Sequence, residues 1–218
     1  KFNGDTTRIR DYILSAYSMV SFIYEKEMNI TVHVPWMYIR TTSDPYNSGG
    51  TSSDWGGMPA TVLAAMPAYW KKNNLNVKAN LVHAISVGGR GGIGNYDGMA
   101  TGIHDGNTWG PFAAISLNGD TKYTLQGSSF LNFDFDVHTI AHEMGHNFNC
   151  PHTHSCSWNP AIDTCVIYEN NNDGCPTAGN KRICTQYTQT SIMSYCREIN
   201  NWVSKMTFLA KPASLIRT

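Results

Sequence analysis

The sequence predicts an α/β (α+β) fold, in which helices connect the strands of a mainly parallel sheet and a loop-rich end follows. The first half of the chain alternates helical periodicity with β-branched and aromatic runs. This order is typical of parallel strands joined by helical crossovers. From residue 150 onward the regular patterns fade, and all six cysteines lie there. The 218 residues suit one domain, or one domain with two lobes.

The first elements are a helix, a strand and a second helix. Apolar residues recur at helical spacing over 6–28 and again over 58–74, and each stretch predicts a helix. Between them, residues 29–42 are rich in β-branched and aromatic side chains and predict a strand. Pro35 within this stretch indicates an irregularity or an edge position. A polar, glycine-rich loop is predicted for 42–57.

Two further strands and a long helix follow. Residues 77–87 and 111–117 have strand composition, and the glycine-rich stretch between them, 88–110, is interpreted as a loop carrying a short edge strand. Its glycines match neither a phosphate-binding P-loop nor a dinucleotide fingerprint. Residues 134–148 predict a helix with Asp134 or Asp136 as its N-cap. A closing helix is predicted near the C-terminus.

Charge and hydrophobicity exclude several classes of function. Sixteen basic residues balance sixteen acidic ones, so the chain lacks the electrostatic footprint of a protein that binds nucleic acid or an anionic membrane. Charged residues make up 15% of the chain and hydrophobic residues 41%, which predicts a compact globular protein. No apolar run approaches the roughly 20 residues that span a bilayer. We therefore expect neither a nucleic-acid partner nor a transmembrane segment.

An even number of cysteines in an Asn-, Gly- and Pro-rich region favours disulfides. The alternative is a structural zinc site, but the C-x-x-C pairs typical of such sites are absent. Disulfides indicate an oxidising compartment, so we expect a secreted, extracellular protein. The chain begins at Lys1 without a signal-like segment, and we interpret it as processed or trimmed. The cysteines are Cys150, Cys156, Cys165, Cys175, Cys184 and Cys196.

The stretch "HEMGHNFNCPH", residues 142–152, contains candidate metal ligands. His142 and His146 are four residues apart, which places them on one face of a helix about one turn apart. Glu143 would then lie within reach of a metal-bound water. His138 is on the same face but two turns from His146, roughly 12 Å along the axis. We therefore interpret His138 as a packing or supporting residue.

A third ligand requires the helix to stop. In a continuous helix His152 would lie roughly 15 Å along the axis from His142. Asn149 is suited to the left-handed conformation that ends many helices, and Pro151 commonly follows such an end. The sequence therefore predicts a helix ending at about Phe148, a turn at Asn149 and His152 swung back to the metal. His154 is the competitor, since residues two apart in an extended stretch point the same way.

These residues carry a family resemblance. "HEMGHNFNCPH" resembles the metzincin signature H-E-x-x-H-x-x-G-x-x-H, with Asn149 in place of Gly. "TSIMSYC", residues 190–196, resembles the Met-turn of the same proteases, with Met193 as its methionine. The two together most resemble secreted reprolysin-like (adamalysin-type) metallopeptidases, particularly bacterial members. Thr153 follows the third histidine where vertebrate adamalysins usually have Asp, which loosens the subfamily assignment.

For the fold, the resemblance implies a single metzincin catalytic domain, residues 1–218, with a mixed twisted sheet. An upper subdomain, 1–152, would hold the sheet and the active-site helix. A smaller, disulfide-rich lower subdomain, 153–218, would lie across a cleft. An edge strand above the cleft would bind the main chain of a substrate as an added strand. Residues 91–99 are the candidate for this strand.

For the site, the resemblance implies Zn²⁺ held by His142, His146 and His152, with one position open for water. Glu143 would act as general base on that water. Met193 would form a hydrophobic floor beneath the histidines without being a ligand, a role almost indistinguishable from that of an ordinary core methionine.

The roles of residues near the Met-turn remain open. In the astacin and serralysin families a tyrosine placed like Tyr195 can reach the zinc and stabilise the transition state. The alternative is a packed tyrosine beside Cys196. Residues 187–190 are predicted to contribute to the wall of the specificity pocket. A structural Ca²⁺ site is not indicated at 169–174, because Asn180 stands where a calcium loop has its Glu, and calcium binding elsewhere in the chain stays an open alternative.

The implied function is a zinc-dependent endopeptidase (a zinc metalloendopeptidase) acting on protein or peptide substrates. A removed propeptide and a monomeric state would accompany it. The alternative is a non-catalytic binding or adhesion domain on the same scaffold. Such copies typically lose the Glu or a His, whereas this chain retains all four residues. A zinc hydrolase acting on a non-peptide amide is a third hypothesis, without a positive sign in the sequence.

Overall fold

The mixed α+β architecture confirms the predicted fold class. The described part of the chain contains four helices and one three-stranded sheet. Its elements are α1 (Thr6–Met28), α2 (Met58–Asn73), β1 (Val82–Val87), β2 (Gly91–Gly94), β3 (Phe112–Leu117), α3 (Ser128–Asn147) and α4 (Ala210–Arg217). The computed structural model describes residues 2–40, 46, 58–74, 76–87, 89, 91–96, 110–119, 128–155, 157–158, 161–163, 191–195 and 206–217.

The sheet has the order β1–β3–β2. β1 runs parallel to β3, from the pair Val82–Phe112 to the pair Val87–Leu117. β2 is antiparallel to β3, which makes the sheet mixed. Every residue of β3 is buried, as is usual for a central strand. Both α2 and α3 contact this central strand, so the helix that carries the H-E-x-x-H motif packs on the fully buried strand.

Helix α1 packs against α3 and has well-defined ends. Asp5 caps its N-terminus by accepting a hydrogen bond from the backbone N–H of Arg8 at 3.0 Å. Asn29 ends it in the left-handed conformation, with φ +58°. The Tyr24 hydroxyl donates to the carbonyl of Ala141 at 2.9 Å, directly before the H-E-x-x-H motif. Helix α1 therefore supports the motif through a buried polar contact as well as through packing.

The predicted N-cap of the long helix is wrong. α3 begins at Ser128, so both Asp134 and Asp136 lie inside it. Asp136 is fully buried and accepts hydrogen bonds from the backbone N–H groups of Asn118 and Gly119, at 2.8 and 2.9 Å. The Tyr12 hydroxyl donates to the same carboxylate at 2.5 Å. The Asp136 carboxylate therefore accepts hydrogen bonds from the chain that follows β3 and from a tyrosine of α1, and it does not cap the N-terminus of its own helix.

The predicted strand at 29–42 is also wrong for its described part. Residues 29–40 have no strand assignment, and among the described residues they form no ladder with the sheet. Partly buried and exposed side chains nevertheless alternate over residues 30–35, so the segment is extended, as its composition indicates. Trp36 packs edge-on against Trp70 of α2, with ring centroids 5.7 Å apart. Side-chain packing holds this segment where backbone pairing was predicted.

The chain divides into two compact units, Lys1–Asn149 and Cys150–Thr218. In the second unit, the Ser191 hydroxyl donates to the carbonyl of Phe208 at 2.9 Å, and the backbone N–H of Ile192 donates to the carbonyl of Thr207 at 2.8 Å. These bonds hold the 191–195 turn against the segment that leads into α4. The predicted subdomain boundary at 152/153 and the cleft stay predictions. Within the described residues, no helix has the length and apolarity to cross a membrane.

Candidate metal centre

The last two turns of α3 bring two histidines together. The rings of His142 and His146 are 4.7 Å apart between centroids and nearly perpendicular, at 89°. Their Nε2 atoms lie 3.1 Å apart, and both side chains are buried. Two ligands of a tetrahedral zinc ion, each at about 2.1 Å, lie about 3.4 Å from one another. The spacing of the two nitrogens therefore fits one shared cation.

The helix stops directly after this pair. Its last residue is Asn147, and the N–H of Phe148 donates to the carbonyls of Met144 and Gly145 at 3.2 and 3.1 Å. Asn149 adopts φ +62°, the left-handed conformation that a continuing helix cannot contain. Asn29 ends α1 in the same way. The predicted turn at Asn149 is confirmed, and the helix ends one residue before the predicted position.

After this turn the chain places His152 with the two helical histidines. His142, His146 and His152 each offer one ring nitrogen, and the three nitrogens lie within 4.8 Å of one another. All three residues are buried. Three imidazoles leaving a fourth position open form the donor set of catalytic zinc sites. The three residues therefore fit a zinc ion, and the competitor His154 is not part of the group.

Glu143 lies beside the first histidine and is almost completely buried, with 4% of its surface exposed. Strand β2 runs directly alongside it. A Cβ atom placed on Gly92 would lie 2.6 Å from Glu143 Cγ and 2.8 Å from Glu143 Oε1. A Cβ atom on Gly94 would lie 2.6 Å from the main-chain oxygen of Glu143. Only a strand without side chains on this face can approach the helix so closely.

A chain of hydrogen bonds links the end of α3 to β1, to β3 and to the residue that follows β2. Asn147 Nδ2 donates to the carbonyls of Asn95 and Phe112, at 2.9 and 3.1 Å, which uses both of its N–H bonds. Asn147 Oδ1 is therefore the acceptor toward His83 Nε2, at 3.1 Å. His83 Nδ1 must then accept from the Tyr17 hydroxyl at 2.6 Å. The network fixes the residue that follows the second histidine and the residue that follows β2.

The network requires a neutral His83, because only one ring nitrogen can carry a proton when the other accepts. Burial agrees with this requirement. It lowers the pKa of His83 from 6.5 to about 4, although the hydrogen bond to Asn147 acts in the opposite direction. Burial also raises the pKa of the Tyr17 hydroxyl, which keeps it protonated and able to donate. Both partners are in the protonation state that the network needs at neutral pH.

The surroundings of His152 are ordered by main-chain contacts. The Trp158 indole N–H donates to the carbonyl of His152 at 2.9 Å. The backbone N–H of Thr153 donates to the carbonyl of Met193 at 2.9 Å, and the Thr153 hydroxyl donates to a carboxylate oxygen of Asp163. Met193 itself is fully buried. The predicted Met-turn residue is thus tied to the residue that follows the third histidine.

Aromatic or imidazole rings lie against each of the three candidate ligands. The Tyr195 ring lies 4.5 Å from that of His152 and 5.1 Å from that of His154. The ring of Tyr96, the second residue after β2, lies 4.7 Å from that of His146. His138 is buried with its ring stacked 6.0 Å from that of His142, as its interpretation as a packing residue requires. The contacts leave the role of Tyr195 in chemistry a prediction.

Several predicted features lie outside the described residues. They are the pocket-wall residues 187–190, the stretch 169–174, the end of the candidate edge strand at 97–99, and Cys156, Cys165, Cys175, Cys184 and Cys196.

The mixed α+β domain, its H-E-x-x-H helix and the third histidine after a left-handed turn define the metzincin class of metallopeptidases. The chain belongs to metallo-peptidase family M12: a reprolysin-type family model matches residues 1–206. The predicted resemblance is confirmed at the level of the family, and bacterial origin stays a prediction. A comparison with curated proteins found no match.

Sequence reasoning missed three features of the site: the approach of Gly92 to Glu143, the network through His83 and the ring contact of Tyr96. The approach of Gly92 could have been predicted, because two glycines that are two residues apart in a short strand leave one face of that strand without side chains. His83 had a weaker signal, as a polar residue in an otherwise strand-like apolar run. Tyr96 had none, since ring packing depends on the tertiary placement of β2.

Proposed function

We propose that the protein is a zinc endopeptidase that cleaves peptide bonds of protein substrates, with Glu143 as general base. The observation that carries the proposal is the convergence of three imidazole nitrogens within 4.8 Å, one residue along the helix from a buried carboxylate. Membership of family M12 supports the reaction class. A bound zinc ion supplies Lewis acidity, which lowers the pKa of water and polarises the scissile carbonyl.

The residues of the chain divide the remaining work. His142, His146 and His152 would hold the metal through neutral imidazole nitrogens. The Glu143 carboxylate would accept the proton of the attacking water and return it to the leaving amine. Burial of Glu143 keeps bulk water from competing for this proton. Met193 would pack beneath the histidines, which its complete burial supports.

Strand β2 would bind the main chain of the substrate. The N–H of Asn95 donates to the carbonyl of Phe112 at 3.0 Å. Because hydrogen-bonded pairs alternate with non-hydrogen-bonded pairs along antiparallel strands, the main-chain N–H and C=O groups of Asn95, Ile93 and Gly91 face β3. The amide and carbonyl of Gly92 then point away from β3. They are available to an extended peptide that adds to the sheet. This placement would set a substrate carbonyl alongside Glu143.

The substitution Glu143→Gln tests the proposal. Gln keeps the shape of the side chain but cannot accept a proton, so we expect unchanged zinc content and a loss of peptide cleavage by at least about 100-fold. Quenched peptides cleaved by the wild type, with zinc measured by elemental analysis, provide the readout. A chelator should abolish the wild-type activity and added zinc restore it. Cleavage retained by the zinc-loaded variant would remove Glu143 from the mechanism, and a zinc-loaded wild type without cleavage would favour the binding-domain alternative.

Secretion is a further part of the proposal. It is supported by the clustering of the six cysteines in the last third of the chain. Mass spectrometry after thiol alkylation in denaturant without reductant should find all six cysteines of the natively isolated protein protected. Six alkylated thiols would contradict an oxidising compartment.

A further inference from the structure

Strand β2 approaches the Glu143 side chain of helix α3 at Gly92. The missing side chain of this residue faces the Glu143 side chain, at positions where a methyl group would overlap Cγ, Cδ and Oε1. Its distances to these atoms would be 2.6, 2.9 and 2.8 Å, all below the contact distances that carbon and oxygen atoms accept. The space that a side chain would fill at position 92 is occupied by the carboxylate arm of Glu143.

The position of Cγ makes this contact decisive. The far end of a glutamate can move aside at little cost by rotation about χ2 and χ3, but Cγ is placed by χ1 alone. Within a helix χ1 has two accessible values, because the third drives the side chain into the preceding turn. A methyl group at position 92 would therefore require either a change of χ1, which swings the whole carboxylate away, or a retreat of the strand.

A retreat of the strand is opposed just past its C-terminal end and along β3. The residue after the strand, Asn95, accepts a hydrogen bond from Asn147 of α3 at 2.9 Å. β2 is also paired with the buried strand β3. The carboxylate would thus give way first.

We propose that Gly92 is a positioning residue of the active site: its lack of a side chain seats the strand against Glu143 and fixes the χ1 rotamer of that glutamate. The inference rests on the proposed function, because it gives Glu143 the role of general base. It also explains how base and substrate are aligned, since the outward-facing amide of Gly92 is where an added peptide strand would pair. One residue would then set the position of both reacting partners.

A double-mutant cycle on stability tests the packing without any assay of activity. Intrinsic propensity alone predicts that Gly92→Ala stabilises a strand. We expect instead that it lowers the Tm by roughly 4 to 8 °C, because the methyl group overlaps Glu143. In a Glu143→Ala background, where Cγ is absent, the same change should lower the Tm by less than about 2 °C. In a Glu143→Gln background, where Cγ remains, the full loss should return.

Equal losses of Tm in all three backgrounds would overturn the proposal, because the cost would not depend on Cγ. If Gly92→Ala alone fails to fold, the double variant with Glu143→Ala must fold for the proposal to stand. A double variant that also fails to fold would overturn it.

Kinetics then separate positioning from a general loss of structure. In folded Gly92→Ala with full zinc content, we expect kcat to fall about 100-fold with a smaller change in KM. We also expect the acidic limb of the pH profile of kcat/KM to shift. An unchanged kcat and pH profile would overturn the proposal. A wild type without peptidase activity, combined with the predicted stability coupling, would contradict the proposed function and leave the Gly92–Glu143 packing in place.

Discussion

At the scale of single residues, the site depends on side chains whose protonation is fixed by burial. His83 is the clearest case, since it must be neutral to accept from Tyr17 while donating to Asn147. The network that it completes ends on Asn95 and Phe112, at the point where β2 and β3 meet. A change in the charge of His83 should therefore affect both the stability of the fold and the position of the edge strand.

The pKa of His83 gives a prediction for stability. The unfolded chain binds a proton at the ordinary pKa of 6.5, whereas the folded protein does so only near pH 4. The stabilisation is therefore fully present above about pH 6.5 and is lost as the pH falls toward 4. We expect a loss of roughly 2 to 3 kcal/mol across this interval, measured by urea unfolding.

The matched control for this prediction is His83→Gln, which cannot become charged. Both proteins are measured with chelator present, so that titration of the metal-binding histidines contributes equally and cancels in the difference. The variant should be less stable than the wild type at pH 7 but should converge toward it at pH 4. Parallel stability curves for the two proteins would show that His83 is not the group responsible.

Single-residue chemistry was also the best-predicted part of the site. Two features of the site depend only on local geometry and can therefore be predicted from the sequence. They are the spacing of His142 and His146 and the preference of Asn for the left-handed conformation. The contact of Gly92 with Glu143 joins residues distant in the chain. Only the pairing of β2 with β3 reveals which face its glycines present to the helix.

At the scale of elements, the left-handed turn at Asn149 ends α3 and lets the chain reach His152. An alanine in this conformation is strained, whereas glycine adopts it freely. We expect Asn149→Ala to lower the free energy of unfolding by about 1 kcal/mol and to weaken zinc binding about tenfold, with Asn149→Gly close to the wild type. Unfolding and competitive zinc titration provide the two readouts.

The chain offers a matched control for this prediction in Asn29. It is exposed, as Asn149 is, and ends α1 with φ +58° against φ +62° at Asn149. Asn29→Ala should cost a similar free energy of unfolding while leaving zinc affinity unchanged. Equal zinc affinities in the two alanine variants would contradict the prediction, because they would show that the turn at Asn149 does not affect zinc binding.

Among the elements, the helices were predicted better than the strands or the caps. α1 matches its predicted range because its periodicity, its N-cap and its Asn C-cap all agree locally. The described part of the predicted strand, 29–40, is not a strand because pairing needs a partner, which composition does not supply. Asp136 was misread as a cap because its partners, Tyr12 and the chain after β3, come from outside its own helix.

At the scale of the whole molecule, the family match covers most of the chain, while the residues that carry the chemistry are few. The balanced charge gives no indication of a nucleic-acid partner, and composition says nothing about which peptide is cut. The motif predicts the metal ligands, yet the residues that would shape the substrate pocket, 187–190, were placed by resemblance alone. Fold and reaction class were thus predictable from the sequence, and substrate preference was not.

The central claim is that the imidazoles of residues 142, 146 and 152 share one zinc ion next to Glu143. Anomalous diffraction at the zinc absorption edge, from crystals of the zinc-loaded protein, tests it most directly. One strong anomalous peak should lie about 2.1 Å from a nitrogen of each of the three rings. A peak bound by only two of them, or by His154 in place of His152, would contradict the account.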